Sequence, residues 1–175
     1  MATRSYTKYA YLPHFQDLSP LFDDADHIDI KTVESTHDLR TFVTRLLSYQ
    51  PGWVTALYGV RWAFVRMLGM SQQGVPKPPQ VQPEDLPMSS DESAEWLIFK
   101  VTKAKEEAYW FASAAESHLS ATLGVIAEPI NNGYRYHVVT LVHYRSWAGP
   151  VYFNTIRPFH HIVVGSMMKH ASKPV

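Results

Sequence analysis

The residues with the widest chemical range in this chain are its nine histidines, and their spacing decides what they can do. A zinc site on a helix needs two histidines about one turn apart, so that both ring nitrogens converge. His160 and His161 are adjacent, which points them about 100° apart on a helix. His170 is out of line with both. His137 and His143 can share a strand face, but stand about 20 Å apart at strand rise. His118 is isolated. These spacings predict no metal site, and the absence of cysteine removes disulfides, thiolate ligation and thiol nucleophiles. A serine hydrolase would place its nucleophile on a strained G-x-S-x-G turn, and no such motif occurs. Gly165-Ser166 falls inside a helical stretch, where a small residue eases packing. Gly74 stands alone and no G-x-G-x-x-G is present, so phosphoryl and nicotinamide chemistry have no apparatus and no cofactor is expected.

Three polar groups remain as candidates. Arg61 lies on a mostly apolar helical stretch, where a guanidinium can clamp a carboxylate bidentately, pair with a structural acid, or reach out to water. His160 follows Pro158 and can act as a general acid or base near neutral pH, or bond a backbone carbonyl freed by the proline. Glu116 and His118 form a possible orienting pair, with solvation at a strand edge as the plainer alternative. Tyr134, Tyr136 and Tyr144 share one strand face, and can line a pocket or pack as an ordinary aromatic core.

The elements that would position these groups are read from periodicity. Residues 1–25 are irregular and polar, interrupted by Pro13 and Pro20. His27 to Val33 alternates as a half-buried strand, with Ile28 and Ile30 on one face. Ser35, with Asp38 three residues on, reads as a helix start. Leu39, Phe42, Val43, Leu46 and Leu47 then form one apolar stripe. A second, more apolar helix runs from Trp53 to Leu68, with Gly69 as its stop. Residues 71–94 carry five prolines and read as an exposed loop, more mobile than the sheet, that can serve as a lid.

Strands follow at Trp96–Lys103, Ala108–Ser113 and His118–Ala127. Asn131-Asn132-Gly133 signals a hairpin through the positive φ that Asn-Gly supplies. In the last strand Tyr134, Tyr136, Val138, Thr140, Val142 and Tyr144 face inward, and the opposite face carries the charges. Gly149-Pro150 turns into a final helix that Pro158 should kink or divide. Strands and helices segregated in this way make an α+β domain, with four or more antiparallel strands under the last helix.

Composition bounds the function. The chain has 175 residues, one domain's worth, and is 46% hydrophobic and 18% charged. Sixteen basic residues balance sixteen acidic ones, which argues against a nucleic-acid binder or a polybasic membrane anchor. The first fifteen residues hold no apolar run of signal-peptide length, and no stretch is long enough to span a bilayer, so a cytoplasmic location is expected.

Leu57 with Arg61, Leu68-Gly69, Glu116-Ser117-His118-Leu119-Ser120, and above all Gly149-Pro150-Val151-Tyr152-Phe153 running into Ile156-Arg157-Pro158-Phe159-His160, carry a family resemblance. Over Asp26 to Ala171 the chain resembles the helix-grip (SRPBCC) superfamily of START domains, polyketide cyclases and birch-pollen allergens. Within that superfamily it is similar to a bacterial family of unknown function, which has Asp where this chain has Glu116. The resemblance implies a curved antiparallel sheet around a long C-terminal helix, two shorter helices, and a cavity. It implies no reaction, because such folds carry, cyclise or sense ligands. The expected partner is a small apolar molecule held by Tyr136, Val138, Thr140, Val142, Tyr152, Ile156, Phe159 and Val163, with Arg61 or His160 as polar contact. The alternatives are a cyclase-like enzyme using His160 as base with Arg61 or a tyrosine, and a homodimeric interaction module without a ligand.

Overall fold

The computed structural model describes residues 6–57, 82–90, 92 and 99–174. After a 3-10 turn at Tyr6–Tyr9 come α1 (Phe15–Phe22), β1 (His27–Ser35) and α2 (Leu39–Ser48). Residues 52–57 are helical. A short 3-10 turn at Pro83–Asp85 leads on to β2 (Lys100–Lys105), β3 (Tyr109–Ala115), β4 (Leu119–Ile130) and β5 (Gly133–Tyr144). The C-terminal helix, α3, spans Ala148–Ala171. The five strands form one antiparallel sheet in the order β1-β5-β4-β3-β2. The fold is α+β, as the strand and helix patterning requires. The remainder of the helix expected to run to Leu68, Arg61 on it, and residues 96–98 of the first expected meander strand lie outside the described residues.

Both faces of the sheet are covered at its centre. On one face Leu39, Phe42, Val43 and Leu46 of α2 meet Trp110, Val125, Tyr136 and Val138, joined by Val164, Met168 and Ala171 of α3. On the other, Leu18 and Phe22 of α1 pack on Phe111, Ile126, Val139 and Leu141, with Ile28 and Ile30 beside them. The outward set of β5 is therefore not simply a charged face. Val139 and Leu141 are fully buried, and the charges stand at the two ends, Arg135 at the hairpin and Arg145 just past the strand.

This second layer corrects the reading of residues 1–25 as irregular. Pro20 lies inside α1 and cannot donate to the carbonyl of Gln16 four residues back. The Ser19 hydroxyl donates to that carbonyl instead, at 3.2 Å. With the orphan acceptor satisfied, the apolar pair Leu18 and Phe22 decides the structure, and one helical turn buries both.

Two smaller departures have equally local causes. Ser35 does not cap α2, because it stays in β1 and pairs with Tyr134. Asp38 caps instead, its carboxylate accepting from Thr41 N at 2.8 Å and from Thr41 Oγ1 at 3.0 Å. In the β4–β5 turn only Gly133 takes positive φ, at 117°, while neither asparagine does. A Cβ there would clash with the Ser35 carbonyl oxygen, so the glycine also admits the end of β1 to the hairpin.

The described part of the proline-rich segment is docked rather than exposed. Leu86 and Pro87 are buried, and the Trp110 indole donates to the Pro87 carbonyl at 2.9 Å. Arg40 of α2 anchors the same stretch, donating to the carbonyls of Pro83 (3.3 Å) and Leu86 (3.1 Å) while its other edge binds the Glu106 carboxylate. Prolines deny this segment a ladder, but a carbonyl needs no N–H of its own to accept a bond. Replacing Arg40 with Met should release it, at a cost of about 1–2 kcal/mol. Limited proteolysis of R40M is expected to cut within residues 82–90 sooner than in the wild type. An unchanged cutting pattern would show that Trp110 and Leu86 hold the segment without Arg40.

Candidate functional site

The sheet floor beneath α3 changes in bulk along its length. Under α2 the cross-strand neighbours are large: Trp110, Val125 and Val138 in one row, with Tyr136 beside them. Two rows further along, Ala114 pairs with Ala121 and Ala121 with Val142. Val142 and Ala121 pack on Tyr152 and Phe153 at the start of α3, but these small side chains fill little of the space beyond, and a cavity of about 390 Å³ is left between floor and helix. That is room for about thirteen water volumes at ~30 Å³ each, within the range of small-molecule sites. The helix supplies the roof through Tyr152, Phe153, Thr155, Ile156, Phe159 and Val163. Phe99 ahead of β2 and Val54 and Leu57 of the 52–57 helical stretch complete much of the wall.

The start of α3 is fixed over this floor by a close approach. The amides of Arg145 and Ser146 donate to the His118 carbonyl (2.9 and 3.3 Å). Gly149 passes so near that a Cβ would lie 2.6 Å from that same oxygen. The glycine of the Gly149-Pro150 pair is thus needed for contact, beyond its role in turning the chain. Gly165, by contrast, faces open space, so no packing demand explains it. The helix runs unbroken through Pro158 to Ala171.

Of the residues singled out from sequence, Thr140, Val142, Tyr152, Ile156, Phe159, His160 and Val163 line the cavity together. Tyr136 and Val138 do not. Tyr136 stacks on Phe42 with ring centroids 4.0 Å apart and donates its hydroxyl to the His37 carbonyl at 2.7 Å. Burial pushes its phenol far above the usual range. Alternation correctly puts Tyr136, Val138, Thr140 and Val142 on one face, but α2 covers the first half of that face and the cavity only the second. Tyr134 packs near Tyr136 and Tyr144 near Phe153, and neither lines the cavity.

Sequence reasoning missed Ala114, Ala121, Leu119, Phe153 and Phe99 as wall residues. The available signal was a pair of alanines in neighbouring strands, but only the register places them opposite each other.

His160 is a polar group in the roof that faces the floor. Its Nε2 lies 3.3 Å from Thr140 Oγ1, and no backbone carbonyl freed by Pro158 takes it up. Burial, aided by the nearby His161, Lys31 and His27 and opposed by Asp29, lowers its pKa to about 4. At neutral pH the ring is uncharged. Behind it, Lys31 Nζ donates to Asp29 Oδ2 (2.7 Å) and to His161 Nδ1 (3.0 Å). Because an ammonium only donates, His161 Nδ1 is the accepting nitrogen. Its 3.3 Å approach to Asp29 is then proximity through a shared lysine, not an ion pair. Burial raises the Asp29 pKa, but the bond from Lys31, the Lys31 charge and the neighbouring His161 and His160 together more than offset it and hold it below the ordinary value. Elsewhere on the cavity wall is Glu116, whose carboxylate lies 3.4 Å from the buried His118 ring. That ring meets Tyr152 edge-on at 4.6 Å.

A family model described as "Protein of unknown function (DUF2867)" matches residues 20–167. The chain belongs to the DUF2867 family. The span of this DUF2867 match takes in every cavity residue named above, from Val54 to Val163, and most of α3. It begins inside α1, so Phe22 of the layer on the opposite sheet face is included and Leu18 is not. No curated protein matches the chain. No group of three or more metal-ligating side chains converges among the described residues. No described helix of this DUF2867 protein is long and apolar enough to cross a membrane.

Proposed function

We propose that this domain is a helix-grip protein, akin to START domains and birch-pollen allergens, that encloses a small apolar molecule between its sheet and its C-terminal helix. The observation that carries this reading is the row of small residues, Ala114, Ala121 and Val142, under a roof of aromatic and aliphatic side chains, with 390 Å³ left between them. An apolar cavity with a few polar groups, here Thr140 and His160, matches how ligand pockets are built. The order of the elements, a strand followed by helices, a meander and a long terminal helix, supports the helix-grip assignment. The neutral charge balance supports a carrier or sensor with neither a nucleic-acid partner nor a polybasic membrane anchor.

A ligand that binds only the folded chain raises its melting temperature by mass action. At a hundredfold excess over Kd this should amount to about 5–10 °C for a domain of this size. A thermal-shift screen of fatty acids, aromatic polyketides and sterols is the direct test, run beside an Ala121→Trp variant. The indole would occupy the floor of the cavity, so A121W should fold and lose the response. A panel that leaves the wild type unmoved, or moves A121W equally, would sink the proposal.

A cyclase-like enzyme draws less support from the site, because a ring with a pKa of about 4 is a weak general base near neutrality. The homodimer reading has one observation in its favour. Phe159 and Ile162 of α3 are 48% and 58% exposed, and Val151 is 48% exposed. Light scattering of the purified protein would show whether a second copy covers them.

A further inference from the structure

The wall of the cavity around His160 differs in charge from the rest. The groups that bear on His160 are Asp29, Lys31 and His27 from β1 and His161 from its own helix, with the Thr140 hydroxyl from β5 in contact. Arg157, one turn before His161, adds its charge to the same neighbourhood and opposes protonation of His27. Asp29 is the one acid among these described groups, and it is already bonded to Lys31 at 2.7 Å. That pair cancels, which leaves the Arg157 guanidinium as the net charge among these described groups, beside three imidazoles. The His27 Nε2 is buried and has no hydrogen-bond partner. Such an arrangement keeps a positive potential at one end of an otherwise apolar cavity. Glu116 stands at the other end. Thr140 is in register with Leu123, and Leu123 with Ala112, so Glu116 lies four residues beyond that row, about 13 Å along the strands.

We infer that the molecule held in this cavity is an organic anion, with its head group against His160 and Thr140 and its apolar body over the Ala114–Ala121–Val142 floor. This rests on the ligand-holding role proposed above and adds the charge and direction of the ligand. An anionic head at this wall gains charge-assisted bonds from an imidazole and a hydroxyl, and it is kept away from the Glu116 carboxylate. It also favours the protonated form of His160. Binding should therefore take up a proton, so affinity rises as pH falls, by at most about tenfold per pH unit.

The test uses three eight-carbon probes on the full chain by titration calorimetry from pH 8 to pH 5. Octanesulfonate stays ionised throughout this range, octanol is neutral and octylamine is cationic. Octanesulfonate is expected to bind about tenfold tighter than octanol, as one charged hydrogen bond allows, with octylamine the weakest. Its affinity should strengthen with falling pH while that of octanol stays level. His160→Gln keeps a polar side chain that cannot titrate, and should lose both the pH dependence and the roughly tenfold preference for the sulfonate over octanol. Should H160Q fail to fold, Thr140→Val carries the same test through loss of sulfonate affinity alone. Octanol or octylamine binding as tightly as the sulfonate, or a level pH profile for the sulfonate, would overturn the anion inference and leave the ligand-holding role standing. Binding by none of the three would overturn both.

Discussion

Replacing Phe42 with Ala should cost about 3–5 kcal/mol, a large share of a domain's total stability of about 5–15 kcal/mol. Phe42 is fully buried on α2, and its ring lies flat on Tyr136 at 4.0 Å and 12°. Truncation removes the transfer energy of the ring, opens a cavity that the sheet cannot close, and ends a stacking contact worth about 0.5–1.5 kcal/mol beyond its area. It also loosens Tyr136, whose hydroxyl bonds the His37 carbonyl just before the Asp38 cap. One side chain thus ties α2, the loop before it and the central strand together. Phe42→Leu keeps most of the volume and should cost about 1–2 kcal/mol. Urea unfolding of the two variants checks this. A loss under about 1 kcal/mol in F42A would mean that α2 contributes little to the core.

Stability should also fall with acid, and His160 should be a principal cause. Its pKa in the folded protein, about 4, lies below the 6.5 of an unfolded chain. The folded state therefore resists a proton that the unfolded state accepts. Stability from this group is fully present above pH 6.5 and is lost as pH falls from there through about 4. The interval corresponds to a loss of up to about 3 kcal/mol. His27 and His170, both lowered mainly by burial, act in the same direction. Urea midpoints measured at pH 7 and pH 4.5 should separate by less in His160→Gln than in the wild type, since glutamine does not titrate. If the variant loses as much stability as the wild type over that interval, the acid sensitivity arises elsewhere.

Much of the fold is legible in the residues because the relevant physics is local. The period-2 pattern of β5 assigns Thr140 and Val142 to the helix-bearing face, and the stripe Leu39, Phe42, Val43, Leu46 defines the buried side of α2. The hairpin at Asn131-Asn132-Gly133 and the helix opening at Gly149-Pro150 follow from turn chemistry in the same way. Local rules fail at α1, where the hydroxyl of Ser19 satisfies the carbonyl that Pro20 orphans. They fail again at Leu86 and Pro87, which look like loop and are core. In both cases a distant surface outweighs the backbone preference: the outer sheet face for Leu18 and Phe22, the Trp110 indole for Pro87.

The cavity is the part that only the tertiary structure decided. Ala114, Ala121 and Val142 are unremarkable in their own segments, and nothing in sequence order says that they form one row. Their pairing depends on the registers of two hairpins. Whether small side chains leave a void depends on how far α3 stands from the sheet, which Gly149 against the His118 carbonyl and the bulky Trp110–Tyr136 end together set. Tyr136 and Thr140 carry the same inward signal in the sequence. One became core and the other cavity wall because α2 ends between them, a distance no periodicity encodes.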